Sequence, residues 1–179
     1  MILVIGGPPG SGKTTVAERW SKVRGYALVS AGMRFRAMAK ERGLSLEEFG
    51  RLAEADPEID RSLDRAVYEE IESNASNGRN VVVDGRIQAY LLAQRHVECL
   101  KVLIDAPLDV RAERIAGREK KSVEAAKSEI TARERSERAR YKSIYGIDLK
   151  DTRLFDVVID SARKTPDEIV ALIASRVAG

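Results

Sequence analysis

Five short apolar runs punctuate the chain, and between them the hydrophobic positions recur at three- and four-residue spacing. Ile2 to Ile5 has no polar interruption, the mark of a strand buried on both faces, and Gly12 to Arg24 then takes helical spacing. Tyr26 to Val29, Asn80 to Val83, Leu100 to Ile104 and Phe155 to Ile159 predict four more strands. Gly32 to Gly78 predicts helices only, three of them, broken near Gly43-Leu44-Ser45 and at Asp56-Pro57, where proline suits a first helical turn. Pro107 to Lys121 and Ser122 to Tyr145 predict two charged helices. Thr165-Pro166-Asp167-Glu168 has the form of a capping box and opens a last amphipathic helix. Strands alternating with helices in this way predict an α/β fold, a five-stranded parallel sheet flanked by helices on both faces.

Length and composition narrow the picture. A chain of 179 residues with 44% hydrophobic content suits one domain around one continuous core. The single cysteine, Cys99, excludes an internal disulfide, and no apolar span or secretory leader is visible, so a soluble cytoplasmic protein without a membrane partner is expected. A formal charge of +3 argues little for a nucleic-acid partner. The make-up of that charge says more: 21 of the 31 basic residues are arginine. Arginine's planar fork grips phosphate in bidentate fashion, although an arginine-rich surface also suits heat adaptation.

Between the first strand and the first helix lies GGPPGSGKTT, residues 6 to 15, too rich in glycine and proline for a helix or strand interior. Gly7 to Thr14 fits GxxxxGK(S/T) in the strand-loop-helix setting that a phosphate-binding loop requires. Gly7, Pro8, Pro9, Gly10, Ser11 and Gly12 would form the ATP-binding loop, in which Gly10 and Gly12 let backbone N–H groups turn inward around a nucleotide's phosphates. Lys13 brings a point charge to the outer ones, the Thr14 hydroxyl can ligate Mg²⁺, and Thr15 continues the helix whose positive end faces the anion. ATP with Mg²⁺ is the expected occupant. Chance rarely produces this pattern in this setting, so a merely structural glycine turn is the weaker alternative.

Four further stretches carry a resemblance: SAGMRFRAMA (residues 30 to 39), VVVDGR (81 to 86), IDAPLDVRAERIAGRE (104 to 119) and RERSERARYKSIYG (133 to 146). In order and over nearly the whole chain they resemble the nucleoside monophosphate kinases, and among these the short archaeal cytidylate kinase family. The resemblance implies one phosphate-loop kinase domain. Its core would be residues 1–31, 79–112 and 146–179, its acceptor-binding insert about 32–78 and its lid about 113–145. It also implies ATP-dependent phosphorylation of CMP or dCMP by direct in-line transfer; a monomer is expected.

Site residues follow position by position. Ser30 and Arg36 match the pattern that holds the monophosphate, although Arg36 read alone is a solvated helix arginine. Asp84 and Arg86 close the third strand, at the carboxyl edge where α/β sheets bind ligands; Asp84 would hold Mg²⁺ with Thr14, and Arg86 would grip the acceptor phosphate. Asp-Gly alone is a common turn pair. Arg133, Glu137 and Arg140, at spacings of four and three, share a helix face without a bulky apolar neighbour, and resemble the family's contacts to the transferring phosphates and the acceptor. Arg114 and Arg118 match the opening of the lid, the first over adenine and the second reaching the phosphates. Asp60, early in the helix that Pro57 starts, could accept the 4-amino group of cytosine, or merely complement the helix's positive end.

The remaining charges need no special role. Residues 111–142 hold eleven basic residues against six glutamates, and Glu129 with Arg133 and Glu134 with Arg138 have the i,i+4 order of a solvated helix. His96 reads as a surface or turn residue, Cys99 as a core thiol and Trp20 as helix packing. Ala31, Met33 and Ile87 depart from residues common in the family, which leaves base choice open. Two other readings stand beside the first: a small kinase of the same architecture acting on AMP or another phosphorylated metabolite, and a nucleotide-gated RNA-binding module using residues 111–142. The second lacks exposed aromatics for base stacking.

Overall fold

A computed structural model describes residues 1–177; the last two positions of the expected core segment 146–179 lie outside the described residues. Five parallel strands, β1 (Ile2–Gly6), β2 (Ala27–Ser30), β3 (Val81–Asp84), β4 (Leu100–Asp105) and β5 (Val157–Asp160), form one sheet in the order β2-β3-β1-β4-β5. Alternation along each strand divides the core between the two faces. Leu3, Ile5, Val82, Val102 and Ile104 pack with Val16, Trp20, Ile169 and Ile173, from α1 (Lys13–Arg24) and α8 (Pro166–Val177). Val4, Val29, Val81 and Val83 pack on the other face with Leu63, Val67, Ile71 and Leu92.

Between β2 and β3 run α2 (Ala31–Glu41), α3 (Leu46–Ala55) and α4 (Pro57–Ser76). Their boundaries have local causes. Ser45 and Glu48 close a complete capping box at the start of α3, and the Asp56 carboxylate caps α4 ahead of Pro57. Phe49, fully buried, packs at 4.7 Å from Phe35 and gives this segment its own small core. A seven-residue helix, α5 (Gln88–Gln94), follows β3; so short a run leaves little periodicity to read, and only its polar end ahead of Leu100 is marked in the sequence. Beyond β4, α6 (Leu108–Glu119) and α7 (Val123–Tyr145) pack along each other over Ala112, Ile115, Ala126 and Ile130. Among the described residues no helix is long and apolar enough to cross a membrane.

The expected strands shift slightly in register. β2 and β3 each begin and end one residue later than the apolar pattern suggests, which makes Ser30 and Asp84 opposed terminal residues of neighbouring strands. β5 begins at Val157, because Phe155 closes a turn on the Thr152 carbonyl and places its ring against Gly6. Strand order reverses about β1, so the loops after β1 and β3 open together at the carboxyl edge of the sheet.

Candidate active site

The loop after β1 is built by close backbone approach. Gly7 has φ 154°, and a Cβ there would lie 2.2 Å from the Ile104 carbonyl oxygen, so no other residue fits. Arginines outside the loop brace it. Buried Arg111 donates from Nη1 to the Pro9 carbonyl at 3.1 Å and from Nε to the Ala106 carbonyl at 2.9 Å. Arg114 donates to the Ser161 carbonyl at 2.6 Å and to the Ser11 carbonyl at 3.3 Å. With these carbonyls engaged, the N-terminus of α1 is left without a side-chain cap and without an acidic residue in its first turn. That helix end can receive an anion.

Lys13 opens α1 and lies partly buried, donating weakly to the Pro8 carbonyl at 3.4 Å. Burial lowers its pKa from 10.5 to about 8, with Asp84 and Glu137 opposing the shift and Arg133 and Arg86 adding to it. Those four groups mark where the loop meets the second half of the site. Glu137, buried on α7, accepts from Arg133 Nε at 2.7 Å and from Arg86 Nε at 3.2 Å. Burial alone would raise its pKa, yet the two guanidinium groups hold it below the usual carboxylate range. The carboxylate thereby aims two arginines from different elements at one region beside Lys13.

Asp84 completes the cluster. Its Oδ2 accepts from Thr14 Oγ1 at 2.9 Å and from Ser30 Oγ at 2.7 Å, while the buried Oδ1 has no hydrogen-bond partner. An orphaned carboxylate oxygen beside a loop hydroxyl fits a hard divalent cation carried by a nucleotide. No group of three or more carboxylate, histidine or cysteine side chains gathers elsewhere as a metal site among the described residues. The donor set therefore suits Mg²⁺ that brings phosphate and water ligands of its own.

A carboxylate–guanidinium pair lies between α4 and α7. Asp60, 1% exposed, lies 3.0 Å from Arg140 Nε, and Arg140 also donates to the Gly50 carbonyl at 3.3 Å. Neither Asp60 Oδ2 nor Arg140 Nε has a well-aligned hydrogen bond. Burial raises the Asp60 pKa, opposed by Arg140. One helical turn on, Asp64 accepts from Gln88 Nε2 at 2.9 Å and from the Tyr145 hydroxyl at 2.7 Å.

Of the residues singled out from sequence, Lys13, Thr14, Ser30, Asp84, Arg86, Arg133 and Glu137 come together. Asp60 and Arg140 meet each other and lie buried, where an early helix position suggests exposure. Arg114 lies against the loop's outer carbonyls. Arg36 is exposed and its guanidinium turns back towards Gly32. Arg118 lies apart from the cluster, exposed and paired with Glu119 at 2.7 Å. Thr15 is exposed on α1.

The i,i+4 pairs expected on α7 are not the ones formed. Glu134 reaches the buried Arg111 at 2.8 Å, Arg133 turns to Glu137, and Glu129 takes Lys121 at 2.6 Å. A surface i,i+4 pair is worth only about 0.3–0.5 kcal/mol, so a buried charge in need of a partner overrides it. The inner face of α7 also carries Ile130 and Tyr141, and so is not free of bulky apolar residues. Arg111, Asp64, Gln88 and Tyr145 escaped the sequence reading, since nothing local distinguishes them. His96 is exposed, Cys99 is half-buried against the core and Trp20 is buried, as expected.

A parallel five-stranded sheet whose first loop opens onto an uncapped helix beside a lone lysine is the arrangement of phosphate-loop kinases. The solved shikimate kinase of Aquifex aeolicus shares this fold, with a TM-score of 0.57 at 20% identity over 100% of this chain and 97% of that one. An uncharacterized protein from Eubacterium ventriosum superposes with a TM-score of 0.73 at 17% identity, covering 100% and 99% of the two chains. The sequence model of the cytidylate kinase-like family matches residues 2–163, and the chain belongs to that family. It is 41% identical to the cytidylate kinase of Pyrococcus abyssi over 99% of this chain and 93% of that one, and 42% identical to that of Methanopyrus kandleri over the same shares.

Proposed function

We propose that this protein transfers the γ-phosphoryl group of ATP to the phosphate of CMP or dCMP. The observation that carries the reading is the convergence on Lys13 of Arg86 and Arg133, held by the one carboxylate of Glu137. Lys13 belongs to the loop that takes the donor's phosphates; Arg86, at the end of β3, belongs to the acceptor side. In-line transfer between two phosphates needs little else: no protein nucleophile, only positioning and neutralisation of charge as the phosphoryl group moves.

In this reading the uncapped end of α1 and Lys13 bind the donor's β- and γ-phosphates, and Arg86 with Arg36 fixes the acceptor phosphate in line. Arg133, steadied by Glu137, faces the group in flight. Thr14 and Asp84 would hold Mg²⁺, which would supply charge neutralisation at the phosphates. The segment α2–α4 serves as the acceptor-binding insert, and residues 113–145, the later part of α6 with α7, serve as the lid. Closure brings Arg118 from solvent to the phosphates and excludes water, which would otherwise accept the phosphoryl group.

Asp60 and Arg140 are assigned to the base. Cytosine presents a 4-amino donor beside two acceptors, N3 and O2, and a carboxylate next to a guanidinium is the complement of that edge. Uracil presents an acceptor at position 4 and a donor at N3, which faces both groups the wrong way. Asp60 Oδ2 and Arg140 Nε form an ion pair without a hydrogen bond between them, which leaves each with capacity to spare. A coupled ADP-release assay over CMP, dCMP, UMP, AMP and GMP tests the reading. CMP and dCMP should lead, and Asp60→Asn should lower the CMP/UMP ratio of kcat/KM by about tenfold, the scale of one discriminating hydrogen bond. Preference for AMP would refute the assignment, and an unchanged ratio would place cytosine recognition elsewhere.

A further inference from the structure

Asp64 poses a problem that packing does not answer. It is 6% exposed on the buried face of α4, one turn beyond Asp60, and burial pushes its carboxyl up to about 7. Tyr145 and Gln88 donate to it and Arg95 lies close enough to favour its charge, but no cation pairs with it directly, and Asp60 opposes it. A buried carboxyl in this condition costs stability that an apolar residue would not. Such a group calls for a role outside stability.

Its two hydrogen bonds lead to the site from opposite directions. Gln88 Nε2 donates to Oδ1, and the amide is oriented, because Gln88 Oε1 accepts from the backbone N–H of Ile87 at 3.2 Å. The same oxygen lies over Gly85: a Cβ there would be 1.8 Å away. Gln88 is therefore moulded onto the turn Asp84-Gly85-Arg86. One end of that turn receives Thr14 and Ser30, and the other places Arg86 on Glu137. Towards the other side, Oδ2 accepts from the hydroxyl of Tyr145, the last residue of α7. The same helix carries Arg133, Glu137 and Arg140.

We propose that Asp64 is a positioning residue, holding the Asp84-Gly85-Arg86 turn through Gln88 and the end of α7 through Tyr145, so that acceptor-side groups on three elements share one register. It touches neither nucleotide. The inference rests on the phosphoryl-transfer reading, but not on which base is taken. Because the donor loop is braced independently by Arg111 and Arg114, the network bears on the acceptor and not on ATP.

The test uses the full chain and the acceptor that wild type uses best, with rates expressed per folded molecule well below the melting temperature. Asp64→Ala removes both hydrogen bonds and should lower kcat/KM for the acceptor by about 10- to 100-fold, the range for a misplacement near 1 Å, with KM for ATP within about twofold. Asp64→Asn is the rescue: its oxygen can accept from Gln88 and its amide can donate to the Tyr145 oxygen, so it should stay within a few-fold of wild type. Gln88→Leu, which breaks only the arm to the turn, should lower acceptor kcat/KM in the same direction and by no more than Asp64→Ala, and the double variant should be no worse than Asp64→Ala, because the Gln88 arm is already broken there. Unchanged acceptor kinetics in Asp64→Ala would overturn the proposal. So would equal losses for ATP and acceptor, an Asn variant as poor as Ala, or strictly additive losses in the double variant. Failure of the kinase reading itself would show separately, as a wild type that phosphorylates no nucleoside monophosphate.

Discussion

Replacing Lys13 with methionine should make the ligand-free protein more stable while abolishing turnover. Burial depresses the lysine's pKa from 10.5 to about 8, so the fold carries a charge that it disfavours. That depression amounts to about 1–3 kcal/mol once the side chain's partial exposure to water is allowed for. The sign follows from linkage. Below about pH 8 lysine is protonated in both folded and unfolded chains, and the folded state bears the whole penalty. As pH rises from about 8 towards 10.5 the folded protein has released the proton while the unfolded chain is still releasing it, and the penalty fades. Lys13→Met should therefore raise the melting temperature at pH 7 by about 3–10 °C for a chain of this length, and the gain should vanish towards pH 10.5. Differential scanning calorimetry of both ligand-free proteins across that range reads the effect, and an ADP-release assay reads the loss of activity. A variant that melts at or below wild type at pH 7, or a gain that persists unchanged at pH 10.5, would refute the reasoning, and retained activity above a tenth of wild type would refute the role of Lys13.

Other outcomes follow from the same geometry. Gly7→Ala must place a Cβ 2.2 Å from the Ile104 carbonyl, so equilibrium binding of ATP should be lost while the circular dichroism of the fold is retained. Arg118→Ala and Arg133→Ala should each lower kcat by on the order of a thousandfold, by analogy with arginine fingers, whereas Arg135→Ala and Arg138→Ala should do little; equal losses at all four would indicate general electrostatics. Asp64, raised from 3.8 to about 7, should make wild type lose stability relative to Asp64→Asn as pH climbs from about 4 to about 7, because the folded chain holds a proton that the unfolded chain has released. Parallel denaturation curves for the two proteins at pH 4.5 and 8, with no change in their difference, would contradict that.

The parts of the site that a local stretch of chain encodes were legible before the fold was known. GPPGSGKT fixes loop, lysine and hydroxyl within eight residues, and Asp84 and Arg86 are adjacent to the apolar run that makes β3. Glu137 with Arg133 is legible from helical spacing. What stayed hidden depends on distant partners. Arg111 meets the Pro9 carbonyl 102 positions away, Asp64 meets Tyr145 across 81, and Arg140 meets Asp60 across 80, so no window of sequence contains either end of these contacts with the other. The failed Glu134–Arg138 pair on α7 makes the same point in energy: that i,i+4 pairing describes a helix in water, and the buried Arg111 of α6 outbids Arg138 for Glu134. Fold class survives such errors because it rests on the order and polarity of whole elements.

The central claim is transfer of phosphate to a cytosine nucleotide, and a one-pot competition tests it most directly. Equal concentrations of isotopically labelled CMP, UMP and AMP are offered with ATP and Mg²⁺, and the labelled diphosphates formed in the first few per cent of reaction are separated and counted, giving ratios of kcat/KM without further assumption. Labelled CDP should exceed labelled UDP by at least about tenfold, since uracil's 4-carbonyl and N3–H face the Asp60–Arg140 pair the wrong way, and labelled CDP should also exceed labelled ADP. Predominance of labelled ADP or UDP, or the absence of any labelled diphosphate, would contradict it.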